Sequence, residues 1–156
     1  MRERWFEDFA VGEVFEFGDR LITADEIVDF ARRYDPQPFH VDEAAAARSH
    51  FGGLVASGWM TAAVLMSLLC EHFIAPASSM GSPGVDKLRW TRPVRPGDRM
   101  RVRVTVLETR RSQSKPDRGV ITLRQEALNQ HGEVVMSLEG LAMMRSRAGS
   151  TAATDV

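Results

Sequence analysis

Apolar and polar residues follow a helical pattern in the first half of the chain. After a strand predicted over Val14–Thr23, apolar residues recur at helical spacing, at Ile27, Phe30, Ala31 and Tyr34. Thr23 is the candidate N-cap of this helix, and Glu26, three residues later, completes a capping box. Because the residue before a proline is pushed out of the α region, we expect the helix to stop at Asp35.

A second and longer helix is predicted over Gly58–Phe73, with Ser57 as its N-cap. No charged residue occurs in this run before Glu71. A helix that is apolar all round is normally a buried one. We therefore expect this helix to lie at the centre of the fold, and Cys70 to be a small core residue rather than a nucleophile.

The second half of the chain alternates between apolar and polar residues. This period of two predicts four strands, at Val85–Trp90, Arg101–Glu108, Val120–Ala127 and Val134–Met144. Short turns between alternating runs indicate an antiparallel meander. The expected fold is α+β and of the hot-dog type, an antiparallel β-sheet wrapped around the long central apolar helix. We place this single domain at residues 1–146, and residues 147–156, which are small and polar, predict a disordered tail.

Composition narrows the class of protein. The length of 156 residues suits one domain, and 20 Lys+Arg against 21 Asp+Glu argues against a nucleic-acid or membrane-surface binder. The single cysteine excludes an intrachain disulfide and fits a reducing compartment. No signal peptide is apparent at the N-terminus, and the longest apolar run is too short to span a bilayer. These features predict a soluble, cytoplasmic protein.

A carboxylate and an imidazole lie close together in the sequence just before the central helix. Asp35 and His40 are five residues apart on a loop stiffened by Pro36 and Pro38. Proton-transfer enzymes need such a pair fixed in one pocket. The backbone N–H of Gly58, at the start of the central helix, is a candidate donor to an oxyanion. On spacing alone a structural role stays open, because an aspartate before a proline is also a common helix terminator.

The other polar clusters are less specific. His50, His72 and His131 show no metal-ligand spacing, so we predict no metal site. Three arginines near the second predicted strand could bind phosphates: Arg89, Arg92 and Arg95. Arginines at a solvated strand edge give the same pattern.

The segment from Asp35 to His40, D-P-Q-P-F-H, is followed by G-L-V-A-S-G at residues 53–58. Together the two segments resemble the MaoC-like dehydratase family of (R)-specific enoyl-CoA hydratases, as does R-P-V-R-P-G-D at residues 92–98. The resemblance extends over about residues 7–146. The family signature has Asp, then Asn-Pro, then His, so Gln37 stands where Asn is usual. Met66 stands where such hydratases often carry a serine on the central helix.

The resemblance implies roles for these residues. Asp35 and His40 would hold and deprotonate a water that adds to a trans-2-enoyl thioester, and the Gly58 N–H would stabilise the enolate oxygen. It further implies a homodimer or higher homo-oligomer with the acyl-CoA site near the interface, a role in fatty acid metabolism, and no cofactor beyond coenzyme A as the carrier of the substrate. The candidate substrate-binding residues are Gln37, Ser57, Trp59 and Met66.

Two other functions remain open at this stage. A hot-dog acyl-CoA thioesterase would use a carboxylate on or near the central helix, but that helix has no acid before Glu71. A non-catalytic acyl-CoA-binding subunit is the other alternative, favoured by Gln37 in place of asparagine.

Overall fold

The structure of the protein, a computed structural model, describes residues 3–150. The helices are α1 Ala24–Tyr34, α2 Pro38–Val41, α3 Glu43–Arg48, α4 Gly58–His72 and α5 Arg147–Ser150, preceded by a 3-10 turn at Phe6–Asp8. The strands are β1 Val14–Leu21, β2 Val85–Trp90, β3 Arg99–Arg111, β4 Arg118–Leu128 and β5 Val134–Arg145. One five-stranded antiparallel sheet curves around α4, which is the hot-dog arrangement that the sequence predicts.

The strand order is β1-β3-β4-β5-β2. The predicted meander is therefore correct for β3, β4 and β5 and wrong for β2, which pairs with β5 at the far edge of the sheet. The connection at residues 91–98 contains two prolines and is too long for a tight hairpin. It ends beside β1, where the Ile22 N–H donates to the Asp98 carbonyl at 2.8 Å. The chain thus crosses from one edge of the sheet towards the other before β3 begins.

The predicted helix ends are confirmed. Thr23 accepts a hydrogen bond from the Glu26 N–H, and the Glu26 carboxylate accepts from the Thr23 N–H in return. Helix α1 ends at Tyr34 with Asp35 as its C-cap. The loop predicted to carry Asp35 and His40 is wrong in its second half, where Pro38 begins a one-turn helix. The fixed φ of proline suits the first position of a helix.

Helix α4 packs one face against the concave side of the sheet. Its buried side chains include Val64, Leu65, Leu68 and Leu69, and they join a core of strand residues. The expectation that α4 is covered on every side is wrong, because Trp59 and Met66 are 58% and 49% exposed. Cys70 lies on the same exposed face, so its predicted place in the core is also wrong. The sheet reaches around one side of the helix and leaves the other open.

The last described element lies beyond residue 146, the predicted end of the domain. The predicted tail begins at Arg147, where the structure instead has the short helix α5. The Arg147 guanidinium donates to both oxygens of Asp8, at 2.6 and 2.7 Å, which ties α5 to the first turn of the chain. Residues 151–156 of the predicted tail lie outside the described residues. Between residues 3 and 150, no helix is both long and apolar enough to cross a bilayer.

Candidate active site

Asp35 and His40 are brought together at the start of α4. Asp35 ends α1 and His40 lies in α2, and a tight turn joins them, in which the His40 N–H donates to the Gln37 carbonyl at 2.9 Å. Both side chains line a cavity of about 430 Å³. Its walls also include Gly58, Trp59, and residues 90–94 from the end of β2 onward. The proline-stiffened segment therefore presents a carboxylate and an imidazole to one cavity, as the sequence predicts.

The orientation of the His40 ring is fixed by the backbone. Nδ1 lies 2.6 Å from the Val55 carbonyl oxygen, and the side chain is 7% exposed. A carbonyl oxygen accepts hydrogen bonds and never donates them, so Nδ1 carries a hydrogen. The second ring nitrogen, Nε2, is left to exchange protons and lies 3.3 Å from Oδ2 of Asp35. The tautomer that this bond imposes aims the reactive nitrogen at the carboxylate.

The Asp35 carboxylate accepts hydrogen bonds on both oxygens. Gln37 Nε2 donates to Oδ1 at 2.7 Å, and Ser57 Oγ donates to Oδ2 at 2.7 Å. Partial burial by itself raises the pKa of Asp35, but these two hydrogen bonds and the charge of His40 outweigh burial and leave the pKa below its usual value. The carboxylate is therefore ionised at neutral pH.

Without a hydrogen on Nε2, the lone pairs of that nitrogen and of Asp35 Oδ2 would face each other across 3.3 Å. Such a pair is stabilised by a proton held between the two atoms, or by a water that donates one O–H to each. Both arrangements are those of an acid–base centre. The geometry can thus accept a proton from a water in the cavity and return a proton to a bound molecule.

Gly58 begins α4, and its backbone N–H belongs to the first turn, which has no intrahelical partner for its donors. Glycine has no side chain, which by itself would leave room for a ligand beside this N–H. The structure shows that the room beside its α-carbon is filled by Trp90, since a Cβ on Gly58 would lie 2.4 Å from Cε2 of that ring. The Trp90 indole N–H also donates to the Gly58 carbonyl at 2.8 Å. Sequence reasoning missed Trp90 because it is 32 residues away, at the end of an edge strand.

The remaining candidates are divided between the cavity and its surroundings. Gln37 and Trp59 line the cavity with the acid–base pair, whereas Ser57 is fully buried behind it. Met66 lies in a second, apolar cavity of about 330 Å³ between α4 and the sheet. Trp59 borders both cavities and so stands at the boundary between them.

The three arginines do not form one cluster at the cavity. Arg92 lines it and lies 3.8 Å from Glu133, but Arg95 donates to the Phe51 carbonyl at 2.6 Å and Arg89 to the carbonyl of its neighbour Leu88. Within residues 3–150, no group of three His, Cys, Asp or Glu side chains is arranged to hold a metal.

A comparison with known families identifies the domain family of this chain. The model of the MaoC like domain matches residues 8–127, well over half of the chain. The chain belongs to the MaoC-like family. The match includes Asp35, His40 and Gly58, so the two facing side chains and the start of α4 lie within the MaoC-like domain.

Solved and curated relatives of the MaoC-like chain include hydratases and dehydratases. A MaoC-like dehydratase from Rhodospirillum rubrum is 42% identical, with a TM-score of 0.86 over 92% of this chain and 98% of that one. The (R)-hydratase from A. caviae is 26% identical, with a TM-score of 0.71 over 87% of this chain and 97% of that one. The 3-hydroxybutyryl-CoA dehydratase of Methylorubrum extorquens is 34% identical over 69% of this chain and 67% of its own length.

Proposed function

We propose that this MaoC-like protein is an (R)-specific enoyl-CoA hydratase, which in reverse dehydrates a 3-hydroxyacyl-CoA. The observation that carries the proposal is the approach of His40 Nε2 to Asp35 Oδ2, at 3.3 Å, in a cavity that also contains Gly58 at the start of α4. The hydratase and dehydratase relatives support the same chemistry. The substrate carries coenzyme A, and the chemistry needs no further cofactor.

The reaction follows from the positions of these groups. A water held between Asp35 and His40 gives a proton to the pair as its oxygen attacks the β-carbon of a trans-2-enoyl thioester. The electrons of the double bond move towards the thioester oxygen, and the Gly58 N–H donates to the resulting enolate. The pair then returns a proton to the α-carbon from the same face. The net change is addition of H and OH across the double bond.

The apolar cavity beside α4 is the proposed site for the acyl chain. Trp59 borders both this cavity and that of Asp35 and His40, and the lining of the apolar cavity includes Met66, Leu69 and Leu138. Burial of methylene groups there contributes about 0.8 kcal/mol each. Arg92 lines the other cavity, which contains Asp35 and His40, and we assign its guanidinium to a phosphate of coenzyme A.

We further propose that two copies associate. Trp59 and Met66 leave an apolar stripe exposed on α4, and β2 leaves an unpaired strand edge that includes the exposed Val85. Both features favour burial against a second copy. A cytoplasmic location remains our expectation for an acyl-CoA enzyme with one exposed cysteine.

The test is to incubate the purified protein with crotonyl-CoA, and in parallel with a longer trans-2-enoyl-CoA. We expect loss of the enoyl thioester, formation of the (R)-3-hydroxyacyl-CoA by chiral analysis, and no release of free thiol. Thiol release without hydration would identify a thioesterase instead. Tight binding of the thioester without turnover would identify a non-catalytic acyl-CoA-binding subunit.

A further inference from the structure

Ser57 connects the two halves of the candidate site. Its side chain is fully buried and does not line the cavity, so it does not reach a substrate there. Its hydroxyl lies 2.7 Å from Asp35 Oδ2 and 3.3 Å from the backbone nitrogen of Trp59. One residue thus contacts both the carboxylate of the acid–base pair and the first turn of α4.

The direction of these two hydrogen bonds is fixed by chemistry. The Trp59 N–H can donate and cannot accept, so the Ser57 oxygen accepts from it. The single hydroxyl hydrogen is then free to point at Asp35, whose ionised oxygen can accept and cannot donate. Capping the helix and bonding the carboxylate therefore do not compete, and the same serine does both.

We propose that Ser57 is a positioning residue that holds the Asp35 carboxylate, in its ionised form, against the start of α4. This inference deepens the proposed function and rests on it for the identity of the base. Ser57 precedes Gly58 in the chain, so it fixes the proton-accepting oxygen relative to the N–H that is proposed to stabilise the enolate. Loss of the hydroxyl would leave Oδ2 with His40 as its neighbour and would remove the bond that ties the carboxylate to the start of α4.

The effect of Ser57 on the Asp35 carboxylate can be measured by titration, because few groups surround that carboxylate. Gln37 donates to Oδ1 from the turn after α1, Ser57 donates to Oδ2 from the start of α4, and His40 approaches Oδ2 from α2. Arg92 is the other charged side chain among the residues that line this cavity. Because a hydrogen bond to the ionised form lowers a pKa, removal of the Ser57 donor is expected to raise the apparent pKa of Asp35 by about one pH unit.

The experiment follows the Asp35 carboxyl carbon by NMR as a function of pH, with the signal assigned from its absence in Asp35→Asn. Ser57→Ala removes both the hydroxyl and the helix cap. Ser57→Gly also removes the hydroxyl, but glycine is well tolerated at an N-cap. We therefore expect Ser57→Gly to be the more stable of the two variants. Thr23→Ala is the matched control, because it removes the N-cap of α1 away from the cavity.

We expect both Ser57 variants to raise the apparent pKa of Asp35, while Thr23→Ala leaves it unchanged. An unchanged Asp35 titration in a folded Ser57→Gly protein would overturn the proposal. In the hydration assay, the acid limb of kcat/KM should move upward by the same amount, with a change in KM of less than about twofold. If the wild-type protein hydrates nothing, the proposed function fails, but the NMR titration still decides the role of Ser57.

Discussion

Replacing Gly58 by alanine tests whether Trp90 shapes the start of α4. The added Cβ would lie 2.4 Å from Cε2, 2.6 Å from Nε1 and 2.7 Å from Cδ2 of the indole, all far inside van der Waals contact. The ring is held by its hydrogen bond to the Gly58 carbonyl and by an edge contact with Trp59, with ring centroids 5.1 Å apart. It must therefore shift by about 1 Å to restore a normal carbon–carbon separation of about 3.5 Å.

Two costs and one gain determine the effect of Gly58→Ala on the free energy of unfolding. Overpacking costs about 1–3 kcal/mol, and loss of the hydrogen bond from Trp90 costs about 1 kcal/mol more. Alanine recovers up to about 1 kcal/mol because it is a better helix former than glycine. The net expectation for Gly58→Ala is a loss of about 1–3 kcal/mol in the free energy of unfolding.

The assay is urea unfolding of the wild type, Gly58→Ala, Trp90→Ala and the double variant. In the Trp90→Ala background the clash is absent, so Gly58→Ala should be neutral or slightly stabilising, which gives a coupling of about 2 kcal/mol. Gly84→Ala is the control, because a Cβ there meets nothing within 4 Å. Equal effects of Gly58→Ala with and without Trp90 would refute this account of the packing.

Two further predictions concern the apolar cavity and the pH dependence of stability. Met66→Phe should fill part of the cavity of about 330 Å³ beside α4 and lower kcat/KM for a long enoyl-CoA more than for crotonyl-CoA; an equal loss for both substrates would contradict our placement of the acyl chain. The hydrogen bonds from Arg147 and from the Trp5 N–H hold the pKa of Asp8 below its usual value, so the stability it contributes is present above about pH 4 and is lost as the pH falls through its folded pKa. In urea titrations across this range, Asp8→Asn should be less stable than the wild type at pH 7, and the gap should close in acid; a gap that is the same at both pH values would show that the ion pair is not its source.

Features that depend on residues close in sequence could be predicted from the sequence. The capping box of Thr23 and Glu26 spans four residues, and the end of α1 before Pro36 follows from a steric rule about neighbours. Asp35 and His40 are also close in sequence, and a short proline-rich turn places both side chains in one cavity.

Contacts between distant residues could not be predicted in the same way. The bond from Ser57 to Asp35 spans 22 residues, and the indole of Trp90 lies over Gly58 from the far edge of the sheet. The exposed face of α4 was missed for another reason. Apolar residues on all sides of a helix do not indicate which side the sheet covers, so the exposed Cys70 looked like a core residue.

The central claim is that Asp35 and His40 act together on a water, and the most direct measurement is the rate of crotonyl-CoA hydration by Asp35→Asn and His40→Ala. Asp35→Asn keeps the shape of the side chain, and its fold should be verified by circular dichroism. We predict a fall in kcat of about three orders of magnitude for each variant, and little further loss when both are combined, because the two side chains work on one proton. Wild-type rates in either folded variant would contradict the account.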